Sequence, residues 1–441
     1  MKLLEIIRNK TFWFIDYLHG GNIKKNLKIL ERLEGSSISE EEVVTFQSEK
    51  LQEILEHASK TVPFYSTIKS NEIKDWPIVD KLLIRNNYEK FLSSKYKKDE
   101  LIVMSTSGST GTPFNSYQDI EKKRSVNAET IFYNGLIGYT VGRRIIYLRS
   151  LVTETKKNVF QQFCQNIYLL DCKDLSDRGI EHMLSLIKKY SKKNGALLMG
   201  YSSTFDIFRS YFERNGFSKA EGSNIYGIIG GSTILYDETR HAMESAFKCQ
   251  CVSRYANEEN GFLGQDDEIN NTFITNRADY YIEILEIESD KRAQDGEVGR
   301  IVVTDLKNKS MPLIRYDTGD IGAWKTIVTR YGKRAALGSF SGRKVDIIFD
   351  AENKIVSPHS ISTSMWKWKQ IEQYQFAQIG HGKYEIRIVL KDESLNKDEL
   401  IKDLKNVVGI NAEICVRLVN NIMVLNSGKR RYIVNELIKN Q

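Results

Sequence analysis

The chain reads as an α/β protein. We expect a large N-terminal domain of parallel α/β sheets with a small β-subdomain, followed by a small mobile α+β C-terminal domain. Three observations predict this. Apolar runs alternate with helical patterns between residues 144 and 247, the signature of a parallel sheet with crossover helices. From about residue 270 the pattern turns β-rich. The last stretch shows one strand, one amphipathic helix and a second strand. A length of 441 residues is too great for one ordinary core. The expected division is 1–342 and 343–441, with a hinge near Asp346.

The elements follow in order. Leu3, Leu4, Ile6, Ile7, Phe12, Trp13, Phe14 and Ile15 crowd the N-terminus, interrupted by Glu5, Arg8 and Lys10. Those charges exclude a signal-peptide core. An amphipathic helix over 1–18 remains. It either packs on its own domain or a second copy in a homodimer, or lies peripherally on a membrane. Residues 20 to 60 are helical in pattern, with Val43, Phe46, Leu51, Ile54 and Leu55 at helical spacing up to Val62-Pro63. A long helix is expected over 119–137. Strands follow at Arg144–Leu148, Ala196–Met199 and Ile225–Ile229, and helices at Ile180–Tyr190, Phe205–Phe212 and Asp237–Phe247, the last with Asp237 as N-cap. Tyr280–Ile287, Arg300–Thr304, Asp317–Trp324 and Ile347–Phe349 read as strands. In the C-terminal unit Tyr384, Ile386, Ile388 and Leu390 alternate with polar residues, Asn396 and Glu399 open a helix, and Ile414, Val416 and Leu418 form a strand.

Composition narrows the function. Hydrophobic residues at 41% and charged residues at 27% describe a globular chain, and no apolar run reaches the length of a membrane span. A formal charge of +7 from 64 basic and 57 acidic residues is too small for a nucleic-acid footprint. Cys164, Cys172, Cys249, Cys251 and Cys415 are an odd, sparse set that suits a reducing, cytoplasmic compartment. Cys249-x-Cys251 lacks a partner pair of ligands, so buried free thiols are the better reading than zinc.

The chemistry is concentrated in a few strings. Thr106-Ser107-Gly108-Ser109-Thr110-Gly111-Thr112-Pro113 forms no core. Its glycines and hydroxyls suit close approach to phosphate oxygens, although it lacks the Walker spacing. Gly200–Ser203, Gly230-Gly231-Ser232-Thr233 and Tyr255–Gly261 all fall at strand C-terminal ends, which places them in one cleft with that loop. Tyr255-Ala256-Asn257-Glu258-Glu259 carries a carboxylate apt for a hard cation. Pro312-Leu313-Ile314-Arg315-Tyr316-Asp317-Thr318-Gly319-Asp320, Gly342-Arg343-Lys344-Val345-Asp346 and Ser427-Gly428-Lys429-Arg430-Arg431 complete the set.

Together these strings resemble the adenylate-forming superfamily of acyl-CoA synthetases and luciferases. The nearest likeness is to its phenylacetate–CoA ligase branch and the capsular-polysaccharide-biosynthesis relatives of that branch. Leu55–Ala58, Val62–Tyr65 and Trp76-Pro77-Ile78-Val79-Asp80-Lys81 also resemble segments of that branch. The resemblance implies an ATP site. Ser107, Gly108, Ser109, Thr110, Gly111 and Thr112 would hold the phosphates, Gly231, Ser232 and Thr233 with Tyr255 the adenine, Asp320 the ribose hydroxyls, and Arg343 would reach the ribose or phosphate region. Glu259 would ligate Mg²⁺, and Lys429 would swing in to meet the charge that builds at the α-phosphate. Thr112 departs from the Lys of many members, and Ala256 from the usual Gly.

The implied reaction is activation of a small-molecule carboxylate by ATP to acyl-AMP. The acyl group then passes to an acceptor, either coenzyme A or an amine or hydroxyl in polysaccharide assembly. An adenylyltransferase that stops at an AMP-product, or a non-catalytic nucleotide-binding scaffold, are the alternatives. Tyr201, Phe205 and Phe132 are aromatic candidates for the acid pocket or for core.

Overall fold

The computed structural model describes residues 2–34, 38–106, 114–149, 151, 157–266, 269, 271–329, 332–343, 348–356, 361, 364–365, 367–368, 370–391, 394–422 and 432–437. Side chains of 106, 329, 339–343 and 355 lie outside that description. The chain divides into two compact units. The first is Met1–Thr318 with Ala323–Ser339; the second is Gly319–Gly322 with Phe340–Gln441.

The first unit opens with three helices, α1 (Leu3–Leu18), α2 (Asn22–Leu33) and α3 (Glu40–Thr61). Ser39 caps α3 by accepting from the Glu42 amide while the Glu42 carboxylate accepts from the Ser39 amide, a reciprocal box. Short helices α4 (Lys81–Asn86) and α5 (Tyr88–Phe91) lead into a hairpin of β1 (Ile102–Thr106) and β2 (Phe114–Gln118). Helix α6 (Ile120–Gly135) follows. The doubly wound part runs β3 (Ile145–Arg149), α7 (Val159–Gln165), β4 (Ile167–Asp171), α8 (Asp177–Ser191), β5 (Ala196–Tyr201), α9 (Ser202–Asn215), β6 (Ile225–Gly231), α10 (Asp237–Phe247) and β7 (Cys251–Asn257).

Strands β4–β3–β5–β6–β7 lie side by side and all parallel. Their order reverses direction between β3 and β5, which puts a crevice at the carboxyl ends of those strands. Both sheet faces are covered. Ile146, Leu198, Ile228 and Cys251 pack with Ile180, Phe205, Phe208 and Met243 of the crossover helices. Their sequence neighbours Ile145, Leu197, Ile229 and Val252 form the opposite face with Ile137. Double burial explains why these strands read as unbroken apolar runs.

The β-rich segment is not a layer of its own. Strands β8 (Gly261–Asp266), β9 (Phe273–Thr275), β10 (Tyr280–Leu285), β11 (Gly299–Asp305), β12 (Tyr316–Thr329) and β13 (Gly332–Arg343) continue the same sheet, which has 11 strands in the order β10-β11-β12-β13-β9-β8-β7-β6-β5-β3-β4. The change of pattern in the sequence marks the passage from parallel to antiparallel pairing at β7–β8.

In the second unit a two-stranded ladder of β14 (Ile348–Phe349) and β15 (Ile355–Val356) precedes a four-stranded sheet. Its members are β16 (Ile371–Gly380), β17 (Lys383–Leu390), β18 (Glu413–Leu418) and β19 (Ile433–Asn435), with α11 (Lys397–Val408) crossing between parallel β17 and β18. Asn396 caps α11, accepting from the Glu399 amide at 3.2 Å. Leu400 and Leu404 pack on Phe376, Ile386 and Ile388.

One capping assignment needs correction. Tyr236, not Asp237, is the N-cap of α10, and no side chain caps it; Asp237 is its first helical residue and supports the helix only through charge. Phe205 is fully buried in the sheet–helix core, whereas Tyr201 and Phe132 are half-buried.

Candidate functional site

The site of the first unit is built around Glu259. Its carboxylate is 1% exposed, and its Oε1 accepts from Lys81 Nζ at 2.6 Å and from the Tyr316 hydroxyl at 3.2 Å. These partners come from three segments. Lys81 begins α4, Glu259 lies in the turn after β7, and Tyr316 begins β12. The Lys81 ammonium also stands 5.8 Å from the Phe114 ring centroid. Phe114 is where the chain re-enters β2, paired with Thr106 at the end of β1. The two ends of the glycine–hydroxyl loop are therefore held together directly beside the Glu259 cluster.

The strand carrying Tyr316 is fixed by local strain and stitching. Arg315 has φ 48°, left-handed for a bulky residue. Its guanidinium clasps both oxygens of Glu283, at 3.2 and 3.1 Å, and donates to the carbonyls of Lys74 and Trp76. Val79 exchanges backbone hydrogen bonds with Arg315 and Asp317. A single parallel bridge between Val79 and Tyr316 thus ties the segment before α4 to β12 and positions Lys81 beside Glu259. Sequence reasoning assigned that segment no chemistry.

Tyr255 is buried, and its hydroxyl donates to Thr318 Oγ1 at 3.4 Å. Ala256 is exposed, lies at a register shift between β7 and β8, and is absent from the left-handed residues. The departure from glycine therefore creates no crowding. Gly261 is different. Its φ is +124°, and an added Cβ would stand 2.6 Å from Glu129 Oε2 and 2.7 Å from the Tyr280 hydroxyl.

Beneath this turn lies a fully buried polar network. Lys122 Nζ reaches Asp305 at 2.8 Å and the Tyr280 hydroxyl at 2.9 Å. The Tyr280 oxygen lies 2.9 Å from Glu129 Oε1 and 2.7 Å from the Asn260 carbonyl. A phenol has one proton, so it cannot donate to both. Burial pushes the Glu129 carboxyl well above the usual range, against the pull of Lys122. The carboxyl group of Glu129 would supply the second proton when protonated, and its Oε2 accepts from the Phe262 amide at 2.9 Å.

At the end of β6, Ser232 has φ 69°, and the Ser202 hydroxyl donates to the Gly231 carbonyl at 3.4 Å. An added Cβ on Gly230 would stand 2.9 Å from Ser202 Oγ. Left-handed backbone in a non-glycine residue at a strand's carboxyl end is a feature of ligand sites. Thr233 Oγ1 is buried without a hydrogen-bond partner. Sequence reasoning also missed Arg254, which is 8% exposed. It donates to Gln265 and Asn134 and lies over Phe262, with no carboxylate partner among the described residues. Burial pulls its guanidinium below the ordinary value.

Ser107, Gly108, Ser109, Thr110, Gly111, Thr112, Asp346 and Lys429 lie outside the described residues. Arg343 closes β13 with its backbone alone described. Asp320 is half-buried on β12 and belongs to the second unit. Among the described residues no cluster of three His, Cys, Asp or Glu side chains could hold a metal by itself. Glu259 is a single carboxylate, a donor set that suits Mg²⁺ only when phosphate oxygens and water supply the rest.

The fold and this arrangement define a class. 2-Hydroxyisobutyryl-CoA ligase, solved in the postadenylation state with an acyl-AMP, superposes with a TM-score of 0.71 at 13% identity over 91% of each chain. ATP-bound MatB from Rhodopseudomonas palustris gives 0.55 at 13% identity, over 77% of this chain and 68% of that one. The chain has the fold of the adenylate-forming ligases. More particularly, residues 348–436 match the CapK C-terminal domain family. The phenylacetate–coenzyme A ligase of Pseudomonas putida is 26% identical over 148 residues, 31% of this chain and 33% of that protein. The match thus spans about a third of the relative's length.

Proposed function

We propose that the protein activates a carboxylic acid with Mg·ATP. A carboxylate oxygen of the acid attacks the α-phosphorus, the bond to the β-phosphate oxygen breaks, and acyl-AMP and pyrophosphate form. The observation that carries this reading is the junction of Lys81, Glu259 and Tyr316 beside the paired ends of loop 107–113. It brings a cation and a metal-competent carboxylate to a loop rich in N–H and hydroxyl donors. Glu259 is the residue that would hold Mg²⁺, which would neutralise phosphate charge. Lys81 would then be freed to meet a phosphate oxygen.

Tyr255 and the backbone of Gly231, Ser232 and Thr233 line the nucleotide, and Asp320 and Arg343 take the ribose region. Lys429 meets the charge that develops at the α-phosphate. No covalent enzyme intermediate is needed; positioning and charge neutralisation lower the barrier.

In the second step a nucleophile attacks the acyl carbon and AMP leaves, with the C-terminal domain, about 343–441, turning near Asp346. Coenzyme A is one acceptor. The match of 348–436 to the CapK family favours the other, an amine or hydroxyl in surface-polysaccharide assembly. The test is ATP–pyrophosphate exchange with aryl, fatty, amino and uronic acids. Exchange with one acid, lost in Lys429→Ala and Asp320→Ala, supports adenylation. Intact ATP binding without exchange indicates a scaffold or a carrier-bound substrate, and absence of ATP binding overturns the reading.

A further inference from the structure

Helix α1 is packed inside out. Glu5, Asn9, Phe12 and Asp16 recur at three- and four-residue steps on the face turned to the body, and Glu5 and Asp16 are only 2% and 4% exposed. Polar contacts hold this face. Asn9 donates to the Val141 carbonyl at 3.0 Å, and Asp16 accepts from the amides of Ile23 and Lys24 at 3.1 and 3.0 Å. Gly142 lies so close that an added Cβ would stand 2.4 Å from the Glu5 carbonyl.

The apolar residues face outward instead. Leu3 is 72% exposed, Phe14 60% and Leu18 63%, with Leu4, Ile7 and Ile15 beside them. Helix α7 extends this surface. Arg8 donates to the Phe163 carbonyl at 2.7 Å and lies over its ring at 5.0 Å, and Phe160 and Val159 are 74% and 83% exposed. A contiguous exposed apolar surface of this kind marks an interaction site.

Charge identifies the occupant. Glu5 and Asp16 are the sole acids in residues 1–28, and both are buried. Lys2, Lys10, Lys24, Lys25 and Lys28 are exposed. Glu31 of α2 is exposed, but α1 and α7 carry no exposed carboxylate, so the surface they form is apolar and cationic. Two copies meeting through it would bring like charges together, which disfavours a dimer. No described helix is long and apolar enough to cross a membrane. We propose that α1 and α7 dock flat on an anionic lipid surface, the apolar stripe entering the acyl boundary and the lysines meeting headgroup phosphates.

The test is co-sedimentation of the purified full chain with vesicles of phosphatidylcholine alone or with phosphatidylserine added. Binding to the anionic vesicles, at least tenfold weaker in Phe14→Glu/Leu18→Glu, weaker in Lys10→Glu/Lys24→Glu/Lys25→Glu and reduced by salt, is the expected result. All these residues are exposed or solvent-facing, so circular dichroism and thermal melting of the variants should match the parent. No binding to anionic vesicles overturns the proposal. So does a dimer in sedimentation velocity that Phe14→Glu/Leu18→Glu abolishes while vesicle binding is absent, since the surface then serves a second copy.

Discussion

Lys81 Nζ and Glu259 Oε1 are 2.6 Å apart, joining the start of a short helix to the turn after the last parallel strand. The buried carboxylate is thereby neutralised. Lys81→Ala should remove a cation from the proposed nucleotide site and leave the buried Glu259 carboxylate without its ion-pair partner. We expect a loss of ATP affinity of roughly ten- to a hundredfold by calorimetry and a fall in stability of about 1–3 kcal/mol in urea unfolding. The double variant Lys81→Ala/Glu259→Gln should recover stability and not pyrophosphate exchange. Recovery of both would assign the pair a structural role alone.

The single phenol proton of Tyr280 leads to a second expectation. Burial raises the Glu129 carboxyl well above its ordinary value, and Glu129→Gln preserves size and supplies a donor, so stability should change by about 1 kcal/mol or less. Tyr280→Phe strands the Asn260 carbonyl and should cost about 1–3 kcal/mol. A larger loss in Glu129→Gln than in Tyr280→Phe would mean that the carboxyl is ionised.

Gly261→Ala should be severe. The residue is left-handed, and the new methyl would meet both Glu129 and Tyr280. We expect loss of soluble protein or destabilisation above about 2 kcal/mol, whereas Ala256→Gly at the exposed bulge should shift stability by less than about 1 kcal/mol. Thermal melting distinguishes the two.

The cysteines give a pH-dependent signature. Burial pushes Cys249 up to about 12 and Cys251 well above its ordinary value. Both thiols stay protonated at pH 8, and the thiolate is the reactive form. Brief alkylation of the folded protein at pH 8 should label exposed Cys164 and Cys415, found by peptide mass spectrometry, and spare Cys249 and Cys251 until denaturant is added.

The parallel half was legible because strands buried on both faces must be apolar throughout; Ile145 and Ile146 serve opposite cores. The C-terminal strand–helix–strand unit was legible from alternation and the Asn396–Glu399 cap. What the pattern hid were contacts between distant segments. Lys81 meets Glu259 only because Val79 is stitched to Arg315 and Asp317. Helix α6 was found, but its buried Lys122, Ser125 and Glu129 could not be told from solvated residues. For α1 the periodicity gave the stripe and not its direction. Asp237 misled as a cap because a first-turn acid and an N-cap look alike in sequence.

The hairpin of β1 and β2 brings Thr106 and Phe114 face to face in register. The backbone on either side of residues 107–113 is thus held in one place. Thr112→Lys should leave the register of β1 and β2 unchanged, with a thermal melting midpoint that matches the parent. What is fixed here is the anchorage of the segment, which β1 and β2 hold whatever letters lie between them.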